Sequence, residues 1–214
     1  RRGGFTLVEM LVSVIIVSVI VASVLPVVIG QVYRFRALQV ARDLTHLRLS
    51  VLQFHADVRQ HPLRLTQTAY PIEATDSTLK YRATNPTPTL FSTEEVARWN
   101  GPYMDAPLAE ELSDEDAFES GLNVWIGNDV YCVDAEAVDV STTCTKGDWV
   151  ALLLYNVRIS DFERINAYVD PHEKNLPRSE KVSKGKLLFR SYGSIAESSD
   201  PGDILFLTMP YLVK

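Results

Sequence analysis

Twenty consecutive residues without a charge decide what this chain can fold into. The run MLVSVIIVSVIVASVLPVVI occupies positions 10–29. A helix of this length is roughly 30 Å long at 1.5 Å per residue, which matches the thickness of the hydrocarbon core of a bilayer. A cleaved secretory signal fits less well, because its apolar region is usually shorter and ends at small residues. The run therefore predicts a single membrane-spanning helix.

The charges next to this run indicate its orientation and its use. Arg1 and Arg2 precede it, and cations before an apolar span place the amino terminus on the cytoplasmic side. Glu9 lies at the start of the span, where a charge costs roughly 3 kcal/mol on insertion scales. Glu9 could stay wet at the interface and favour the positive end of the helix. We favour the alternative, that Glu9 meets a cation inside an assembly, since ionisable residues within membranes are usually functional.

The junction GGFTLVEML, at residues 3–11, resembles the class III signal of type IV pilins and of type II secretion pseudopilins. That resemblance implies that prepilin peptidase cuts between Gly4 and Phe5, and that the freed Phe5 amine is methylated. It also implies that Glu9 pairs with the N-terminal amine of a neighbouring subunit. Residues 1–4 are then a leader remnant, and we expect the chain to be a truncated or unprocessed form.

A helical pattern continues beyond the span. Apolar residues recur at steps of three and four, which predicts one buried stripe: Tyr33, Ala37, Val40, Leu44, Leu47, Val51, Phe54 and Val58. Pro62 ends the pattern. Pro26 predicts a kink or a local loosening, and major pilins of several families have a proline at this position. The helix is therefore expected from Phe5 to His61, with a first half buried in lipid or other helices and a second half carrying a globular head.

Arginines are spaced along the second half of this helix. Two interpretations are open for Arg34, Arg36, Arg42 and Arg48. They form a solvated helix face, or they contact lipid head groups before assembly and acidic partners afterwards.

Residues 62–121 contain six prolines and several polar clusters, which are typical of irregular structure. Short extended pieces are expected at 63–69 and 78–83, and a helical turn at 94–100. The segment WNGPY, at 99–103, resembles an element of major pseudopilins, and its plain role is an aromatic-anchored turn. The acidic run at 113–116 lacks the spacing of a calcium-binding loop, so a solvated loop is expected there.

From residue 122 the sequence is typical of β-strands. Four runs rich in Val, Ile, Leu and aromatic residues are bounded by Gly, Pro and Asp: Asn123–Val133, Trp149–Ile159, Lys186–Ile195 and Asp203–Val213. Such strands laid across the apolar stripe predict an α+β fold, a long N-terminal helix packed on an antiparallel sheet in a pilin-like roll. The polar insert Asp161–Gly185 is predicted to be a mobile loop.

The two cysteines enclose a short loop. At this spacing outside a membrane, Cys132 and Cys144 suggest a disulfide worth about 3 kcal/mol by loop entropy. Two free buried thiols are the alternative. Pilins commonly close a C-terminal loop with a disulfide, although usually nearer the chain end.

Composition and motifs narrow the functions. After residue 29 the chain has 19 basic and 26 acidic side chains, which gives no electrostatic reason for nucleic-acid binding. The sequence lacks the GxSxG, Walker A, HExxH and CxxC motifs, so no enzyme activity is expected. Four scattered histidines and two cysteines indicate no structural metal site, and no cofactor is expected.

The domain plan follows from these segments: a leader remnant at 1–4, a transmembrane and filament-core helix at 5–29, an amphipathic helix at 30–61, an irregular region at 62–121, and a β-sheet head with the disulfide loop at 122–214. The resemblance implies a structural subunit of a type IV pilus or pilus-like filament, which serves adhesion, motility or DNA uptake.

The expected partners are other pilin subunits in a homo- or hetero-oligomeric filament, prepilin peptidase, an inner-membrane assembly platform, and lipid before assembly. The chain would start as a single-pass inner-membrane protein and end in an extracellular pilus or a periplasmic pseudopilus. The alternatives are a pseudopilin of a type II secretion system and a membrane-anchored binding module or enzyme.

Overall fold

The structure is a computed structural model. It describes residues 7–72, 91–104, 117–119, 122, 124–134, 139–141, 147–173, 175–181, 183–191 and 201–211. The chain divides into two compact units, Arg1–Arg36 and Ala37–Lys214. The first unit is the helical segment that contains the apolar run. The second unit contains the whole sheet and the core.

Helix α1 runs from Leu7 to Val58 and continues through Pro26 without a break. Seven of the eight positions of the predicted stripe are buried: Ala37, Val40, Leu44, Leu47, Val51, Phe54 and Val58. Tyr33, the eighth, belongs to the first unit and is exposed. The helix ends at Val58, three residues before the expected His61, and the next residue, Arg59, has a left-handed φ of 68°.

Among the described residues, the sheet has six antiparallel strands. Their bounds are β1 Ala117–Glu119, β2 Trp125–Asp134, β3 Asp139–Ser141, β4 Trp149–Arg158, β5 Leu187–Ser191 and β6 Pro201–Pro210. The spatial order is β1-β2-β4-β6-β5, and β3 pairs with β2. All four expected strands are present as β2, β4, β5 and β6, and residues 192–195 of the run expected at 186–195 lie outside the described residues. The α+β class and the helix-on-sheet arrangement are therefore confirmed.

Strand β4 shows why the sheet is apolar on both faces. Val150, Leu152 and Leu154 belong to the core cluster that also contains the buried stripe of α1. Ala151 and Leu153 belong to a second buried cluster. Successive side chains of a strand point to opposite faces, so a strand buried on both sides reads as a continuous apolar run rather than as an alternation.

The prediction that 161–185 forms a mobile loop was wrong. A helix, α4, runs from Ile159 to Val169, and Ile159, Phe162 and Ile165 are buried in the core beside the sheet. Their spacing of three places them on one helix face, and the charged residues between them obscured this pattern. A short 3-10 helix at Pro171–Glu173 and a helical turn at Arg178–Lys181 (α5) follow.

The irregular region contains two short helices. The extended piece expected at 63–69 was wrong, because Thr66–Ala69 forms a helical turn, α2. The turn expected at 94–100 is confirmed as α3, Thr93–Arg98. Ser92 caps α3, since its hydroxyl accepts from the Glu95 amide and the Glu95 carboxylate accepts from the Ser92 amide, which is a capping box. The segments expected at 78–83 and 113–116 lie outside the described residues.

Candidate assembly interface

The first half of α1 presents an apolar surface that its own unit does not cover. Every residue from 7 to 36 is exposed, and the large side chains keep between 42% and 80% of their surface accessible. In the described part of the chain, α1 is the one helix long and apolar enough to cross a membrane. An apolar surface of this extent requires lipid or other protein around it.

The three serines of the span are satisfied within the helix. The hydroxyls of Ser13, Ser18 and Ser23 donate to the carbonyls of Glu9, Val14 and Ile20 at 2.7–2.8 Å. Such bonds remove the need for an outside partner.

The predicted assembly residues lie on one helix but not together. Glu9 is exposed in the first turn of α1, and Pro26 lies in the helix interior. Seventeen residues separate them, or about 25 Å along the axis. Gly4 and Phe5 lie outside the described residues.

The arginines of α1 do not share one environment. Arg34, Arg36 and Arg42 are exposed. Arg48 is half-buried, and its Nε donates to the carbonyl of Thr208 on β6 at 2.8 Å. Arg48 therefore fits neither interpretation, the solvated helix face or the contact with lipid head groups. Its hydrogen bond instead connects the helix to the sheet.

The WNGPY segment packs against the buried half of α1. The Tyr103 ring lies 5.8 Å from the rings of both Phe54 and Trp99 in edge-to-face arrangements, which suit aromatic pairs. The Tyr103 hydroxyl donates to Asp57 Oδ2 at 3.0 Å and accepts from the Asn100 amide at 2.9 Å. Burial raises the pKa of Tyr103, so this hydroxyl keeps its proton as a donor.

Two further contacts fix the segment at its ends. Trp99 Nε1 donates to the carbonyl of Gln67 at 3.0 Å, and the Tyr103 carbonyl accepts from the hydroxyl of Ser50 at 3.0 Å. A side chain at Gly101 would place its Cβ 2.5 Å from the Trp99 ring, so only glycine fits there. The aromatic-anchored turn is thus confirmed as a structural feature.

Cys132 is 2% exposed in β2, where it lies opposite Val150 of β4 and Ser141 of β3. Cys144 lies outside the described residues. The disulfide between them therefore stays a prediction. Within the described ranges, no three His, Cys, Asp or Glu side chains come together in a way that could hold a metal ion.

A cleft that the sequence did not suggest opens where α1 ends. It has a volume of about 210 Å³ and a wall formed by His55, Arg59, His61 and Tyr211. These residues come from both ends of the second unit, so no local motif could have revealed the cleft.

The N-terminal residues match a known family model. The chain carries the prokaryotic N-terminal methylation motif, over residues 1–25. This motif is the class III signal of type IV pilins and pseudopilins, as the GGFTLVEML junction predicted. No curated protein and no solved structure matches the chain. The similarity is therefore established for the signal and the start of the span.

The motif has consequences at a coarse level. Together with the exposed apolar half of α1, it supports a pilin-like or pseudopilin class with an inner-membrane anchor before assembly. It implies prepilin peptidase processing and filament assembly in general. The families that bear this motif are structural rather than enzymatic. The α+β layout of the second unit agrees with a pilin-like organisation.

Proposed function

We propose that the chain is a structural subunit of a type IV pilus or pilus-like filament, assembled from the inner membrane by packing of N-terminal helices. One observation carries the proposal: a methylation motif at residues 1–25 covers the start of a helix whose residues 7–36 are all exposed and largely apolar. Lipid covers this surface before assembly, and the same surface of other subunits covers it afterwards. The partners are other pilin subunits and an inner-membrane assembly platform, and the filament serves adhesion, motility or DNA uptake.

Processing at Gly4 and Phe5 is the first test. We expect prepilin peptidase to cut between them and the Phe5 amine to be methylated. Mass spectrometry of protein recovered from filaments should therefore find Phe5 at the amino terminus. Gly4→Val should leave the leader attached. A mature terminus elsewhere would contradict the pilin assignment.

Glu9 carries the proposed mechanism of assembly. A carboxylate on an apolar span is tolerable inside a helical filament core only if a positive charge offsets it. The Phe5 amine freed by cleavage supplies such a charge on the adjacent subunit. Truncating one partner of a buried pair leaves the other uncompensated, at a cost of roughly 3–5 kcal/mol. The pair therefore favours the one register in which both charges meet.

The test compares Glu9→Val with Ser13→Ala. Glu9→Val should insert into the membrane at least as well as the wild type and keep a folded head, yet assemble poorly or only alongside wild-type subunits. Ser13→Ala changes a neighbouring polar residue whose hydroxyl already bonds to its own helix, so it should assemble normally. Filament yield by electron microscopy of sheared material checks both. Normal filaments from Glu9→Val alone would show that Glu9 is merely an interfacial residue.

The second candidate is a pseudopilin of a type II secretion system. The WNGPY segment favours it, because the segment resembles an element of major pseudopilins and packs against α1 through Trp99 and Tyr103. A pseudopilin would remain in a periplasmic filament. Its loss would abolish protein secretion and leave surface pili intact, whereas loss of a pilus subunit would remove surface filaments that mass spectrometry finds to contain this chain.

A further inference from the structure

The cleft at the end of α1 combines an apolar floor with a positively charged rim. Val150 of β4 and Met209 of β6, both buried, are its apolar lining residues. His61 and Tyr211 stand at the side, with ring centroids 5.5 Å apart and an angle of 82° between the ring planes. A volume of about 210 Å³ is smaller than pockets for drug-sized ligands, which hold roughly 300–1,000 Å³. The cleft thus has room for a small ligand with one apolar side.

Arg59 provides the charge. Its side chain is exposed on the rim, and its guanidinium makes no ion pair with the described residues. His55, one helical turn earlier, has a buried Nδ1 without a hydrogen-bond partner. Among the described residues that line the cleft, none is acidic. Among the described residues that line the cleft, Arg59 is therefore the one that is permanently charged.

The backbone at Arg59 argues against a purely structural role for its side chain. Arg59 has a φ of 68°, and its amide donates to the carbonyl of His55 at 2.9 Å. This is the left-handed position that follows many helices, where glycine is preferred because it has no Cβ to strain the backbone. If only the end of α1 mattered, glycine at this position would give a more stable backbone. Strain of this kind is found at functional sites, and here it holds a guanidinium at the mouth of a cleft.

We propose that this cleft binds a small organic carboxylate, with the carboxylate group on the Arg59 guanidinium and the apolar body on Val150 and Met209. A guanidinium matches a carboxylate with two parallel hydrogen bonds and remains charged at every physiological pH. Burial, and secondarily the positive charge of Arg59, lower the pKa of His55, so Arg59 is the permanent cation of the pair. The cleft lies wholly in the second unit, whereas the proposed filament role rests on residues of the first.

The probe is benzoate, and benzamide is the matched control with nearly the same shape and no charge. The full-length chain in detergent micelles contains four histidines, and selective labelling makes each imidazole an NMR reporter. Benzoate should shift the signals of His55 and His61 in a saturable way at millimolar concentration. His46 and His172 are exposed and do not line the cleft, so their signals should stay in place. Benzamide should bind at least about tenfold more weakly, since a charged hydrogen-bonded pair is worth more than one factor of ten.

Variants of Arg59 separate binding from folding. Arg59→Gly should abolish the benzoate shifts and raise the Tm by roughly 2–4 °C, because it relieves the left-handed strain. Arg59→Lys keeps the charge but loses the planar fork, so it should weaken binding several-fold. Arg59→Gln should lose binding without relieving the strain. Equal binding of benzamide and benzoate, the absence of a saturable shift, or unchanged binding in Arg59→Gly would each overturn the proposal.

Discussion

The two halves of α1 have the same secondary structure and opposite environments. From Leu7 to Arg36 every residue is exposed, whereas between Ala37 and Val58 nine residues are buried. The first half is apolar on all sides, and the second half is apolar on one stripe only. Helical structure alone therefore says little about what a segment does. The distribution of apolar residues around the helix shows whether the chain covers that surface itself or leaves it to a partner.

The difference also separates stability from assembly. The buried stripe of the second half belongs to the core cluster of the sheet, so changes there act on the folding of the second unit. The exposed half contributes no buried side chain among the described residues, so changes there act on insertion and assembly.

The largest effect is expected from a matched pair of truncations. Phe54→Ala should lower the free energy of unfolding by about 3–5 kcal/mol, because it empties a fully buried position beside Phe91 and Tyr103. Val17→Ala, in the exposed half, should leave it unchanged. Denaturant unfolding followed by tryptophan fluorescence measures this, since all three tryptophans lie in the second unit. Equal losses in both variants would erase the distinction between the halves.

The predicted disulfide should give the next largest effect, again confined to the second unit. Reduction should lower the free energy of unfolding by about 3 kcal/mol, because the bond limits the freedom of the unfolded chain. Reductant should have no effect on a variant with both Cys132→Ala and Cys144→Ala. Peptide mapping without reductant should recover the two cysteine peptides linked. Recovery of both as free thiols in exported protein would refute the bond.

Tyr103→Phe should lower the free energy of unfolding by about 1–1.5 kcal/mol. It removes the hydroxyl that joins Asp57 of α1 to the Asn100 amide and keeps the ring. Tyr168→Phe, at a residue that is 43% exposed, is the control and should have almost no effect. If the two variants are equally stable, the hydroxyl does not help to hold the WNGPY turn on the helix.

The smallest effect concerns His55. Burial lowers its pKa below the ordinary 6.5. As the pH falls, the imidazole of the unfolded chain is therefore protonated before that of the folded chain. The difference in protonation does not affect the free energy of unfolding above the pKa of the unfolded chain, and it lowers that free energy as the pH falls below this pKa. The stability difference between wild type and His55→Gln should therefore shift against the wild type between about pH 7 and pH 5. A difference that is constant over this range would contradict the lowered pKa.

Much of the fold could be predicted from the sequence, because single elements have strongly periodic apolar patterns. The stripe of α1 follows a 3.6-residue repeat, and β4 and β6 are long apolar runs between turn residues. Helix α4 was missed because Asp161, Glu163 and Arg164 lie between its three buried apolar residues, and the local polarity masked the packing face. The segment is a helix because it packs on the sheet, and no local sequence pattern reports that tertiary contact.

The candidate sites divide in the same way. Glu9 could be identified because a lone charge in an apolar run is visible in the sequence itself. The cleft could not, since His55 and Tyr211 are separated by most of the second unit and meet only after the sheet forms. The left-handed backbone of Arg59 was equally hidden, because arginine carries no signal for that conformation.

The inward-bonded serines affect how subunits can be exchanged for one another. Each serine hydroxyl donates to its own helix and so has no proton left to donate to a neighbour, and Glu9 is the one charged side chain between residues 7 and 33. If Glu9 pairs with the amine of a neighbour as proposed, selectivity through that surface depends on where the counter-charge stands. A different subunit with a free amine at the matching height would then be admitted, whereas an identical helix displaced by one turn would be refused. The proposed pairing would thus allow a mixed composition and discriminate against misalignment.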